Sequence, residues 1–221
     1  MLPMRLNVLF EDNHLLVVNK PAGLPTQGAA EGEVSLCEVA KTYLKEKYNK
    51  PGNVFLGVVS RLDSFVSGVI VLARTSKAAA RLNEQFSGGD VEKIYSAILE
   101  RPPSPPAGFC EDRVLKDDEA HRMRVIGMDE KAGQFARLTY ETIRPVENGI
   151  LVDVRLETGR KHQIRLQLSS RGWPVVGDRK YGARSTFPLG IALHSRLLRL
   201  QHPVTRENMT FEAPFPVIWP R

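Results

Sequence analysis

Val58-Val59-Ser60-Arg61-Leu62-Asp63-Ser64-Phe65-Val66-Ser67-Gly68 runs directly into Val69-Ile70-Val71-Leu72-Ala73. The second half is compact, apolar and β-branched, which predicts a buried strand. The first half sets an arginine and a carboxylate two residues apart at the entrance to that strand. A loop fixed to a rigid strand is a common carrier of catalytic groups. A plain surface turn, with Asp63 capping its own backbone, uses the same residues.

Toward the N-terminus, Leu6–Phe10 and Leu15–Asn19 are apolar runs separated by Glu11-Asp12-Asn13, which predicts two strands and a tight turn. Lys20-Pro21-Ala22-Gly23-Leu24-Pro25 forbids regular structure, because its prolines fix the backbone and remove donors. Ser35 and Glu38 have capping-box spacing, and Leu36, Val39, Ala40, Tyr43 and Leu44 form one helical face. Pro51-Gly52 stops that helix.

Toward the C-terminus, Thr75 or Ser76 caps a helix that turns Ala78, Ala79, Leu82 and Phe86 inward and ends at Gly88-Gly89. Lys93–Leu99 reads as a strand. Arg101–Gly108, with four prolines in eight residues, reads as an extended connector. Gln134–Arg144 and Gly149–Glu157 read as paired strands. Lys161–Ser170 reads as a helix ended by Gly172, which would put His162 and Arg165 on one face. Ala192–Leu200 and Met209–Glu212 read as a closing pair of strands. Sequential strands joined by turns, with a few helices between, favour an α+β fold with a mainly antiparallel sheet over a doubly wound one.

Composition bounds the function. The 221 residues are 42% hydrophobic and 25% charged, which suits one globular domain with room for two lobes. The net charge of +6 favours a polyanionic partner. Cys37 and Cys110 lie in no CxxC pair and beside no His cluster, so buried thiols in a reducing compartment are expected rather than a disulfide or metal site. No glycine-rich phosphate loop occurs. No apolar run approaches a membrane span, and the N-terminus has no signal-peptide pattern, so a cytoplasmic protein is expected.

Two further segments concentrate polar groups. Lys93 and Tyr95 lie two apart on a strand and face the same way. Leu156-Glu157-Thr158-Gly159-Arg160-Lys161-His162-Gln163-Ile164-Arg165-Leu166 interleaves cations, His and Gln with apolar residues, and continues to Gly177-Asp178-Arg179-Lys180-Tyr181-Gly182.

Taken in order, these segments resemble the RluA-type family of RNA pseudouridine synthases. The resemblance rests on Arg61-Leu62-Asp63, Ser67-Gly68, Lys93-Ile94-Tyr95, Leu156-Glu157-Thr158-Gly159-Arg160, His162-Gln163-Ile164-Arg165, Gly172-Trp173-Pro174 and Gly177-Asp178. The opening Asp12-Asn13-His14 through Asn19-Lys20-Pro21-Ala22-Gly23 and the closing Leu193-His194-Ser195, His202-Pro203-Val204-Thr205 and Phe211-Glu212-Ala213-Pro214 are similar to the family too. Three positions depart from its motif. Ser60 stands where a His is usual, Ser64 where a basic residue is usual, and Val66 where a Thr is usual. They flank the Asp without removing it.

The resemblance implies a single catalytic domain over residues 1–221 with a cleft across its sheet and no S4-type domain before it. It implies Asp63 as catalytic carboxylate, Arg165 as the guanidinium that would hold it charged, and Tyr95 as the aromatic against the uracil. Arg61, Arg160, Lys161 and His162 are the candidate RNA-binding residues. The isomerisation moves no electrons overall, so no cofactor and no metal are expected. The expected partner is RNA, either tRNA or ribosomal RNA, met by a monomer. An RNA-binding protein of the same fold without catalysis is the alternative. A glycosidase-like hydrolase would need a second well-placed acid.

Overall fold

The computed structural model describes residues 6–28 and 32–220, and the chain divides into two compact units. Unit 1 is Met1–Val91 with Ser195–Phe215, and unit 2 is Glu92–His194 with Pro216–Arg221. In chain order, unit 1 begins with β1 (Val8–Glu11), β2 (Leu15–Lys20), α1 (Leu36–Lys47), β3 (Gly57–Val58), β4 (Ser67–Ala73) and α2 (Ser76–Gly88). Unit 2 follows with β5 (Glu92–Leu99), β6 (Ala107–Asp117), β7 (Arg122–Ile126), β8 (Gln134–Val146), β9 (Gly149–Leu156) and α3 (Gln163–Ser169). The closing hairpin is β10 (Leu193–Gln201) and β11 (Asn208–Glu212). The architecture is α+β.

In unit 1 the strand order is β1-β2-β4-β10, with β11 on β10 and β3 on the end of β4. β2 and β4 run antiparallel from Leu15↔Ala73 to Lys20↔Gly68. Alternate residues point to opposite faces, and here both faces are buried. Leu15, Val17, Val69 and Val71 join Ala78 and Leu82 of α2, Leu198 and Leu200 of β10, and Phe211 in one core. Leu16, Val18, Ile70 and Leu72 point the other way and are equally buried. That double burial explains why both segments read as continuous apolar runs.

The helix ends follow the side chains that close them. Ser35 accepts from the Glu38 amide while the Glu38 carboxylate accepts from the Ser35 amide, a complete capping box. Thr75 caps α2, and Gly89 ends it in the left-handed conformation that glycine adopts without strain. Glu11 ties β1 to the far end of α1 by accepting from Tyr43, Lys47 and Tyr48, and it also accepts from Arg74.

In unit 2 the order is β5-β9-β8-β6-β7, antiparallel throughout. α3 packs against β6 and β7, with Leu166 meeting Val114, Met123, Ala136 and Tyr181. Two expectations need correction. Residues 107–126 form the β6–β7 hairpin, which sequence patterning left unread, so the proline-rich connector ends at Pro106. The helix expected over Lys161–Ser170 spans only Gln163–Ser169, because His162 lies outside it at φ 54°. The shared helical face of His162 and Arg165 therefore does not form.

Gly68 opens β4 at φ 114°, where a Cβ would lie 2.2 Å from the Ser195 carbonyl oxygen and 2.6 Å from its nitrogen. The Ser195 hydroxyl donates to the Val69 carbonyl at 3.0 Å, so this crossing is bonded as well as close. Gly68→Ala is expected to destabilise unit 1 by about 3 kcal/mol or more, since backbone cannot give way as a side chain tip can. Chemical denaturation of the variant checks it, and a loss under about 1 kcal/mol contradicts the close crossing.

Candidate active site

Asp63 sits in the loop between β3 and β4, half-buried, and the backbone around it is held on both sides. A turn closes beneath it, with the Val66 amide donating to the Asp63 carbonyl at 3.0 Å. On one side, buried Thr26 takes the Leu62 amide at 3.2 Å and donates its hydroxyl to the Leu62 carbonyl at 2.8 Å. On the other, the Ser64 carbonyl accepts from the Gly23 amide at 2.8 Å and from Lys20 Nζ at 3.1 Å. Leu62 and Val66 turn inward into the apolar interior. Arg61, Asp63 and Phe65 alternate with them, Arg61 and Phe65 being exposed.

Lys20 is the centre of this clamp. It is 0% exposed, and its ammonium donates to the carbonyls of Pro21, Leu24 and Ser64. Burial pulls it from the ordinary 10.5 down to about 7, against the attraction of the Asp63 carboxylate, which holds it up. The segment from Lys20 to Thr26, whose stretch through Pro25 reads in sequence as irregular, is thus the strap that fixes the loop carrying Asp63. Lys20 and Thr26 gave little sequence signal, because a buried lysine reads as a surface one until its acceptors are known.

Unit 2 holds a second constellation. The Arg165 guanidinium grips Asp178 in two parallel bonds, Nε to Oδ2 at 2.7 Å and Nη2 to Oδ1 at 2.9 Å. The two side chains are 6% and 1% exposed. The same guanidinium lies 5.0 Å from the centroid of Tyr181. The Tyr181 hydroxyl accepts from the Met123 amide at 3.0 Å and is hydrogen-bonded to His162 Nδ1 at 2.8 Å. Gln163 accepts from the Arg160 amide and the Thr158 hydroxyl and donates to the Arg137 carbonyl, closing the turn before α3.

Arg61 and Asp63 share one loop of unit 1. Arg165 and His162 meet through Tyr181 in unit 2. Arg165 is buried, with Asp178 and Tyr181 of unit 2 against its guanidinium. Arg160 is half-buried with Nε on the Phe135 carbonyl, and Lys161 is exposed. Tyr95 is half-buried on β5, opposite Val154 of β9, and Lys93 beside it is lowered from the lysine value by burial. Sequence reasoning assigns no role to Asp178, Tyr181 or Gln163, because their roles come from contacts across the fold.

The Lys20 shift has a sign. Between about pH 7 and 10.5 the unfolded chain holds a proton on Lys20 that the folded chain has released. Stability then rises with pH across that window, because the cost of a buried ammonium is present below pH 7 and relieved above it. Urea midpoints from pH 7 to 10 are expected to climb more steeply in the parent than in Lys20→Met, whose side chain carries no proton. Equal slopes contradict the assignment.

The family model described as RNA pseudouridylate synthase matches residues 14–170. The ribosomal large subunit pseudouridine synthase D of Zymomonas mobilis is 33% identical over 222 residues, covering 96% of this chain and 69% of the relative. An uncharacterized RNA pseudouridine synthase of the same organism is 34% identical over 211 residues, covering 95% and 93%. Among solved structures, human RNA pseudouridylate synthase domain containing 4 superposes with a TM-score of 0.79 at 26% identity, covering 96% of this chain and 89% of that one. The ordered motifs, the α+β architecture and these matches agree: the chain belongs to the RluA-type RNA pseudouridine synthases, isomerases that convert uridine in RNA to pseudouridine.

Proposed function

We propose that this chain isomerises uridine in ribosomal RNA, with Asp63, Tyr95 and Arg165 as its catalytic set and the cytoplasm as its place of action. The reading of ribosomal RNA draws on the named relatives. The reading of Asp63 is supported above all by the clamp on its loop. Five hydrogen bonds, to the turn, to Thr26, to Gly23 and to Lys20, fix the backbone on either side of this one half-buried carboxylate. A surface turn with no task needs no such restraint.

The chemistry sets what the carboxylate must do. The N1–C1′ bond breaks, the freed uracil turns, and C5 bonds to C1′. The proton on C5 goes to solvent and N1 gains one, so atoms and electrons balance without a redox partner. An ionised carboxylate can attack the sugar or take a proton from it, and both roles need it charged and held in place. Preorganising it in a clamped loop removes motion that would otherwise be lost at the moment of reaction. Uridine within structured RNA must first leave its stack, at a cost of a few kcal/mol.

The proposed RNA-binding residues are Arg61, Arg160, Lys161 and His162. Exposed Arg61 and Lys161 suit phosphate directly. His162 is held by Tyr181, so its contribution would be the shape of the turn before α3.

RNA tritiated at uracil C5 separates the readings. The parent is expected to release tritium to water from ribosomal RNA transcripts, whereas a binder without catalysis releases none and a hydrolase yields free uracil. Asp63→Asn is expected to fold, bind the same RNA and release none, a loss of at least about 10³-fold. Undiminished release by that variant refutes the role of Asp63. Affinity is expected to fall with salt on a log–log slope of about −3, as for four or five single-strand phosphates neutralised. A flat response contradicts phosphate-driven binding.

A further inference from the structure

Phe65 is the large apolar side chain that this loop leaves exposed. It is 53% exposed, two residues past Asp63, at the third position of the turn closed by the bond from the Val66 amide to the Asp63 carbonyl. With φ negative there, the turn tolerates most residues at that position and does not itself call for an aromatic. The apolar work of the loop is done by Leu62 and Val66, which are buried on its other side. A single exposed phenylalanine is common on protein surfaces, and it is the setting that matters here. This one stands on a turn whose central carbonyl, Ser64 O, is pinned by Gly23 and by Lys20. Its base is as fixed as that of Asp63.

We propose that Phe65 is a stacking platform for the base next to the target uridine, an inference that rests on the reading of Asp63 as the catalytic carboxylate. Two residues of chain reach at most about 7 Å, so the ring lies beside any nucleotide whose sugar meets Asp63. When uridine leaves its stack, each flanking base loses an aromatic neighbour on one side. A phenyl ring on a rigid turn replaces one of those faces without paying to be ordered. Exposed Arg61, two residues before Asp63, leaves the loop with a cation on one side of the carboxylate and an aromatic on the other. Charge on the phosphate and stacking on the base is the usual pairing for single-stranded nucleic acid. Every base has a π face, so the contact accepts any neighbour. Purines, with the larger ring, are favoured over pyrimidines.

Stacking on a flanking base is made equally before and during the reaction, so it lowers KM and leaves kcat alone. With tritiated ribosomal RNA transcript, Phe65→Ala is expected to raise KM about tenfold, within the range found for lost base–aromatic stacking, with kcat within about twofold of the parent. Phe65→Tyr and Phe65→Trp are expected to keep the parent KM. Phe65→Leu, apolar but without a π face, is expected to behave as Phe65→Ala. Thermal midpoints of all four are expected within about 2 °C of the parent, because the ring is 53% exposed and lies outside the loop's buried apolar residues. Titrating Phe65→Trp with the same transcript is expected to quench fluorescence beyond the change given by the two tryptophans of the parent.

An unchanged KM in Phe65→Ala overturns the proposal, as does a Leu variant equal to the parent or a loss confined to kcat. A parent that releases no tritium defeats the functional reading instead. The Trp quench then still decides whether position 65 meets a base, and its absence overturns the stacking platform by itself.

Discussion

A buried ammonium without an acid at contact distance is a poor investment for stability, yet the loop that bears Asp63 is organised around one. In its protonated form Lys20 donates to the carbonyls of Pro21, Leu24 and Ser64. Two of these lie in the strap that contains Lys20 itself, and the third lies in the loop. The side chain therefore joins two irregular segments that no strand ladder connects. Irregular backbone away from water must find partners for its carbonyls, and here one lysine supplies several at once. Because its charge attracts Asp63 as well, the group that shapes the loop also biases the loop's electrostatics.

Unit 2 uses a different device for a related end. Arg165 and Asp178 are both removed from water, and such a pair adds little net stability relative to apolar residues of the same volume. What it adds is uniqueness. The bidentate fork fixes the plane of the guanidinium, its carbon lies over the Tyr181 ring, and the Tyr181 hydroxyl bonds the Met123 amide and His162. Geometry at α3 is thus over-determined by polar contacts rather than by packing alone. Such contacts hold one arrangement and penalise neighbouring ones, because any shift leaves a charge unpaired.

Legibility in sequence tracked how local the cause was. The helix ends at Ser35, Thr75 and Gly89 were readable because the capping residue lies within four positions of what it caps. β2 and β4 were readable because burial on both faces leaves unbroken apolar runs. The β6–β7 hairpin was not, since Cys110 and Val114 are separated by three polar residues and an acidic stretch follows. α3 misled for the opposite reason. Gln163, Arg165 and Gln167 are buried along with Ile164, Leu166 and Leu168, so the helix has no polar stripe by which to locate its face or its start. The family motifs marked Asp63 and Arg165, but the strap and the Asp178 fork are long-range bonds that spacing cannot reveal.

The same distinction explains how the departures at Ser64 and Val66 are absorbed. Lys20 and Gly23 hold residue 64 through its carbonyl, which every amino acid carries, so its side chain is free to vary without loosening the clamp. Position 66 contributes an amide to the turn and an apolar body to the interior, and Val supplies both. A loop fixed through backbone atoms can change its side chains and keep its shape. What it can vary is therefore what it presents to the substrate. Phe65 is such a presented group, and its exposure is the part of this loop that folding does not require.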